Sequence, residues 1–189
     1  MVRKWFANLS CIVLLASCQS LNTGDLLFHV VEKGNAITDV TPGMIDHVAI
    51  VISKDSVIEA VGAGVKTTPL DSLRRQEGYY IIGRVRRADP TLSIANARSF
   101  LGRPYDRLYL QDNDAIYCSE LVQFSMVDKD GNRLLSPIPM SFHDASGHIT
   151  PYWQQFYEEH GMEVPEGYPG SNPGELSKRR EVHIKGRLR

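Results

Sequence analysis

The sequence predicts an α+β domain in which an antiparallel sheet, open or closed into a small barrel, packs against helices. Three observations predict it. Short β-branched runs at 26–31, 46–52, 57–61 and 79–86 are each bounded by turn residues. Helix-spaced apolar residues follow Asp89-Pro90 and again follow Tyr117. The 189-residue chain shows no repeat and no composition break, which suits one domain with a real core.

The elements follow in order. Gly24-Asp25 turns into a buried strand over 26–31. Segment 32–41 suits a short helix ending near Pro42-Gly43. The run 46–52 is a second central strand with His47 at its start, and Lys54-Asp55-Ser56 turns it back into 57–61, an antiparallel hairpin. Gly62-Ala63-Gly64 turns again into an edge strand over 65–68, and Pro69 opens a short helix over 70–76. A further strand covers 79–86. Asp89-Pro90 starts a helix through Leu92, Ile94, Ala97 and Leu101 that Gly102 closes. After a tight turn at Gly102-Arg103-Pro104-Tyr105-Asp106, a loop leads to a helix with Cys118 at its start, for which Asp112, Asn113 and Asp114 offer N-cap side chains. Thr150-Pro151 opens one more helix, to residue 160. From 161 to 189 the density of proline and glycine predicts a loose tail, whose basic clusters at 178–180 and 185–189 read as solvated.

The first residues read as a targeting segment rather than as part of the fold. Arg3 and Lys4 precede an apolar stretch over 5–16 that is too short for an ordinary membrane span. Leu15-Ala16-Ser17-Cys18 resembles a bacterial lipobox, which implies a signal peptide over 1–17, lipidation of Cys18 and a tether over 18–23. Gln19 after that cysteine suits outer-membrane retention facing the periplasm. The expectation is a lipoprotein of the bacterial cell envelope, membrane-bound through Cys18. Lys plus Arg is 21 and Asp plus Glu is 22, so no net charge argues for nucleic acid as a partner.

Of three cysteines, Cys11, Cys18 and Cys118, only the last would remain as a free thiol in such a mature protein. An unpaired cysteine in an oxidising compartment is a liability unless it is buried or used. A helix start collects unpaired N–H groups and the positive end of the macrodipole, which favours thiolate. A small buried core cysteine is the alternative. A cysteine nucleophile needs a base, and the base needs an orienting group. Of six histidines, His47 sits at a strand start beside a turn, and the hairpin brings Glu59 close to it. A core histidine and a solvent-facing glutamate are the competing readings, and His143-Asp144 is a rival base pair.

Gly24-Asp25-Leu26-Leu27-Phe28, His47-Val48-Ala49-Ile50-Val51 and Val57-Ile58-Glu59-Ala60 together resemble the strand series of NlpC-type papain-like cysteine peptidases. There the cysteine helix usually precedes the strands. Here Tyr117-Cys118-Ser119-Glu120-Leu121 follows them, which resembles the circularly permuted, YiiX-like branch, akin to lecithin:retinol acyltransferase-type enzymes. The turn at 102–106 is similar to that branch as well. The resemblance covers about 24–140 and implies a permuted papain-like domain over 24–160. It implies Cys118 as nucleophile, His47 as base, Glu59 as orienting residue and Tyr105 as lining of the oxyanion hole or acyl site. Other enzymes of NlpC type more often place His, Asn or Gln at the third position.

The expected function is therefore a thiol hydrolase, an amidase or peptidase without a cofactor, acting on cell-wall peptides, peptidoglycan fragments or related amides. An acyl-lipid or N-acyl amide substrate for the same triad is the alternative, and an apolar cleft would favour it. A non-catalytic binding lipoprotein and a zinc site on Cys118 with histidines are readings of other classes. One mature thiol and no close Cys/His spacing argue against the zinc site.

Overall fold

The computed structural model describes residues 20–41, 43–111 and 113–188. Residues 1–17, expected to be a signal peptide, and Cys18 lie outside the described residues.

The strands appear where the β-branched runs place them. β1 (Asp25–Val30), β2 (Ile45–Ser53), β3 (Ser56–Val61) and β4 (Gly64–Pro69) form a meander. After the short helix α1 (Leu70–Leu73) comes β5 (Tyr79–Val85), which returns to the far side of β1. α2 (Pro90–Ser99) starts where predicted: the Asp89 side chain accepts from the Leu92 N–H at 2.9 Å, and Pro90 sits in the first turn. α3 (Cys118–Ser125) carries the cysteine. Further along lie β6 (Ile138–Pro139), α4 (Pro151–Glu159), β7 (Pro169–Gly170), α5 (Pro173–Leu176) and β8 (Val182–Arg187).

Six strands form one antiparallel sheet in the order β4-β3-β2-β1-β5-β8. Alternation divides its side chains between two cores. Leu26, Phe28, Val48, Ile50 and Ile58 pack toward Ala97 of α2 and Leu121 and Val122 of α3. Leu27, Ala49, Val51 and Val57 pack with Leu70, Leu73, Tyr80 and Ile82 on the other face. Covering both faces is why the strands read as unbroken apolar runs. A third cluster, around Met140, Phe142, Trp153 and Tyr157, gathers Ile37, Val40, Leu108 and Tyr109 beside the sheet.

Two expectations fail. Segment 32–41 forms turns rather than a helix. Asn35 takes over its backbone: the amide oxygen accepts from the N–H groups of Ile37 and Thr38 at 3.0 and 3.1 Å. Within the segment expected as a loose tail, 161–189, the described residues 161–188 are ordered. β8 pairs with β5, and Lys185 reaches the fully buried carboxylate of Asp25 at 3.0 Å, which Arg84 also grips with two hydrogen bonds. Lys185 and Arg187 belong to an edge strand, and Arg179 of the other cluster that read as solvated is a nearly buried ion-pair partner of Glu175.

Candidate active site

Cys118 is the first residue of α3, and its side chain is buried. The helix is held on many sides, against α2, α5, β2 and β3. Its own hydrogen bonds begin with the Leu121 N–H to the Tyr117 carbonyl at 2.9 Å, so the Cys118 N–H belongs to the first-turn donors that an α-helix cannot satisfy internally. The expected acidic caps are not used. Tyr117 occupies the N-cap, and Glu120 accepts from the Tyr117 N–H at 3.4 Å. Asn113 instead accepts from the Ala115 N–H, and Asp112 lies outside the described residues.

The structure brings His47, Glu59 and Cys118 together. Ile50 pairs with Ile58, so Glu59 stands opposite Ala49 and diagonally across from His47. His47 Nε2 lies 2.8 Å from Glu59 Oε2, and Thr68 of β4 donates to Glu59 Oε1 at 2.6 Å. Cys118 is the imidazole's other neighbour, close enough to act on its titration. Burial opposes a charged imidazole here, but the neighbouring Cys118 and the hydrogen bond to the Glu59 carboxylate outweigh it. They push the His47 pKa from 6.5 up to about 10. Glu59 is also buried, which opposes ionisation, yet His47, Thr68 and Lys66 hold its carboxyl below the usual range. The arrangement sets a carboxylate against an imidazole and the imidazole beside a thiol.

Tyr105 lines the same cleft. Burial, the neighbouring Cys118 and nearby phenols keep its hydroxyl protonated far beyond the ordinary tyrosine value. The loop after it is organised by Asp106, a buried carboxylate that accepts from the Leu108 and Leu110 N–H groups, both at 2.8 Å. That loop holds Tyr109 at φ 53°, a region non-glycine residues seldom occupy. The strain aims its ring at Tyr117 and Trp153, at centroid distances of 5.3 and 5.5 Å. Beside Cys118 lies a narrow cleft of about 30 Å³. Ile37, Val40, Met140, Phe142 and Trp153 supply most of its apolar wall, and Ser171 closes one side.

The rival base pair is occupied elsewhere. His143 contacts Ser141 and Glu166, and Asp144 accepts from Ser146 and the His148 N–H. Thr68, Asp106, Trp153 and Ser171 were not legible as site residues. The register of the β3–β4 hairpin places Thr68 diagonally from Glu59 and could have pointed to it. The other three needed the tertiary fold.

The model of the permuted papain-like amidase enzymes, the YaeF/YiiX, C92 family, matches residues 20–138, and the chain belongs to this family. Protein YiiX of Escherichia coli strain K12 is 33% identical over 114 residues, 53% of this chain and 54% of that protein. The chain thus matches about half the length of this curated relative. The crystal structure of the metalloprotein yiiX from Escherichia coli O157:H7 superposes with a TM-score of 0.71 at 22% identity, over 88% of this chain and 97% of that one, and it shares the fold. Among the described residues, no group of three or more His, Cys, Asp and Glu side chains could hold a metal ion. The donor set at Cys118 therefore does not fit a resident metal, and no step is drawn through one.

Proposed function

We propose that the protein is a thiol hydrolase of amide bonds with Cys118 as nucleophile, His47 as general acid and base, and Glu59 as orienting carboxylate. The observation that carries this reading is the Glu59–His47 hydrogen bond with Cys118, the first residue of α3, beside the imidazole. Cys118 Sγ attacks the amide carbonyl carbon, and the oxyanion is received by the Cys118 N–H and the Tyr105 hydroxyl. The His47 imidazolium gives its proton to the leaving nitrogen, and the C–N bond breaks to leave a thioester. Water then attacks the thioester, His47 takes its proton, and the thiolate departs.

The cleft wall bears on the substrate. Asp46 is the charged carboxylate in the wall, but His29 and Asn35 engage its two oxygens at 2.8 and 2.7 Å. It has little left to offer a zwitterionic peptide end. The apolar and aromatic wall favours an amide with an apolar acyl part over a cell-wall stem peptide. We further propose a lipoprotein anchored through Cys18 in the bacterial envelope, where both classes of amide occur.

Iodoacetamide labelling of Cys118 across pH, with His47→Ala alongside, tests the pair. Rapid labelling near neutral pH that His47→Ala abolishes is expected. Slow labelling unchanged by the variant would put the binding-lipoprotein reading ahead. Turnover of N-decanoyl p-nitroanilide against an alanyl-glutamyl p-nitroanilide then separates the substrate classes.

A further inference from the structure

The cleft beside Cys118 is too small for an organic substrate. Its volume of about 30 Å³ has room for a water or two, whereas sites for small organic molecules run to roughly 300–1,000 Å³. A wall must therefore move before an acyl chain can enter. Most of the walls are firmly held. Cys118 and Ser119 lie in α3, and Trp153 lies in α4. The Ser171 N–H donates to the Tyr117 hydroxyl at 3.0 Å, and its carbonyl accepts from the Ser119 hydroxyl at 3.1 Å. The Asp106 carboxylate fixes the loop of Tyr105 and Tyr109, and the Leu108 carbonyl there accepts from the Tyr157 hydroxyl at 2.9 Å. Met140 exchanges backbone hydrogen bonds with Gly167 and Tyr168, both at 2.8 Å.

The wall of Ile37, Val40 and Thr41 is built differently. It belongs to segment 32–41, which forms turns and bends and has no buried residue. Asn35 accepts from the N–H groups of Ile37 and Thr38, so this wall moves with Asn35. Among the described residues, three hydrogen bonds tie the segment to the rest of the fold. The Trp153 indole donates to the Ala36 carbonyl at 3.1 Å, and the Thr41 hydroxyl donates to the Ile45 carbonyl at 3.5 Å. The third engages a charge: the Asn35 amide donates to Asp46 Oδ2 at 2.7 Å. The other Asp46 oxygen meets His29 Nδ1 at 2.8 Å, and His29 Nε2 meets the Glu77 carbonyl at 2.7 Å. Both partners of the ring are acceptors, so both nitrogens must donate, and these contacts require an imidazolium. The Asp46 hydrogen bond accordingly raises the His29 pKa above 6.5, against burial and the charge of His47. The titratable groups around His29 are Asp46 and His47 on β2 and Tyr80 on β5, whose ring lies 4.9 Å away. His47 titrates at about 10 and burial keeps Tyr80 neutral beyond its ordinary range.

We propose that segment 32–41 is a lid over Cys118, latched shut by the chain Asn35–Asp46–His29 and released when the His29 imidazolium loses a proton. A neutral His29 surrenders one of its two bonds and leaves the half-buried Asp46 carboxylate without its cation. Asp46 then turns toward water and lets go of Asn35. Ile37 and Val40 swing clear, and the cleft opens on its apolar side. Acid closes the lid and alkali opens it. The lid goes beyond the hydrolase reading, because access to the thiol needs no turnover.

The test applies two reagents of one chemistry, methyl and hexyl methanethiosulfonate, to the full chain and reads the Cys118 peptide by mass spectrometry. Both meet the same thiolate, so the ratio of hexyl to methyl rates reports access and cancels ionisation. In the wild type that ratio should be low below pH 6.5 and climb as pH rises through the raised His29 value. His29→Gln should hold it constant over that range. Asn35→Ala should raise the low-pH ratio by roughly 10-fold, the scale of one hydrogen bond to a charged group, with the methyl rate unchanged. A wild-type ratio that ignores pH overturns the proposal, and this arm needs no variant to fold. A climb kept by His29→Gln also overturns it. So does an Asn35→Ala variant that unfolds cooperatively yet keeps the wild-type ratio, or one in which both rates rise together, which marks general loosening. Failure of the hydrolase reading leaves a different trace: His47→Ala labels as fast as the wild type, while the ratio still climbs with pH.

Discussion

His47 and Glu59 meet diagonally across β2 and β3, with Nε2 2.8 Å from Oε2, and the Thr68 hydroxyl holds the far carboxylate oxygen at 2.6 Å. Glu59 is therefore fixed from the strand opposite the one it orients. Its carboxylate helps raise the His47 pKa to about 10, so the imidazolium persists well above neutral pH. Glu59→Gln removes a negative charge and should lower that value. The expected outcome is a kcat/KM reduced by roughly 10²-fold, with the alkaline limb of the pH–rate profile moved to lower pH. An unmoved limb would separate Glu59 from the titration of His47.

The pair formed by His29 and Asp46 makes a prediction for stability. The hydrogen bond to Asp46 raises the His29 pKa above 6.5 despite burial. Burial opposes ionisation of Asp46, but its hydrogen bonds to His29 and Asn35 lower its pKa below 3.8. The His29 contribution is complete below 6.5 and is lost as pH rises through the raised native value. The Asp46 contribution is complete above 3.8 and is lost as pH falls through the depressed native value. The urea midpoint should decline as pH rises above 6.5, and His29→Gln should make that decline shallower, leaving the part that belongs to His47.

Asp106 supports the aromatic wall without entering the chemistry. Asp106→Ala strands the N–H groups of Leu108 and Leu110 and releases Asn113, which donates at 3.2 Å. A destabilisation of about 2–3 kcal/mol is expected, measured by equilibrium urea unfolding. Because Tyr109 keeps its positive φ only within that loop, KM should rise more than kcat falls.

Deleting residues 182–188 tests the role of β8. The deletion unpairs the edge of β5 and removes Lys185 from Asp25, a carboxylate with no exposure to solvent. The shortened chain should lose its cooperative thermal transition and aggregate through the bared edge. Lys185→Met, which keeps the strand, should lower the midpoint only modestly. A soluble, cooperatively folding deletion would show the strand to be dispensable.

Much of this was legible in local patterns. The hairpin of β2 and β3 follows from two β-branched runs around a turn, and it carries His47 and Glu59 with it. The start of α2 is written in Asp89-Pro90. The helix of Cys118 was legible, its cap was not, because Tyr117 holds the N-cap position through tertiary contacts that no local acidic residue replaces. Segment 32–41 misled because Asn35 competes for backbone donors that a helix would have used. β8 misled because Lys185 and Arg187 look solvated until Asp25 and the ring of Tyr79, 4.0 Å from the Arg187 guanidinium, are placed beside them. Ser171 was invisible for a similar reason: its partners lie 52 and 54 positions away.

The contact between Lys185 and the Ser20 carbonyl, at 2.7 Å, brings the two ends of the described chain side by side, and Leu21 and Leu188 pack on the same cluster. The altered order of strands and cysteine helix then needs no change in architecture. A short splice between these ends, with a new opening in the loop before Tyr117, would start the chain with the cysteine helix and leave each strand beside its present neighbours. In evolutionary terms the rearranged gene order is a single cut and a single join. The join lies away from Cys118, whereas the cut opens the loop in which Asp106 holds Leu108, Leu110 and Asn113, so the aromatic wall is the part such a change must re-form.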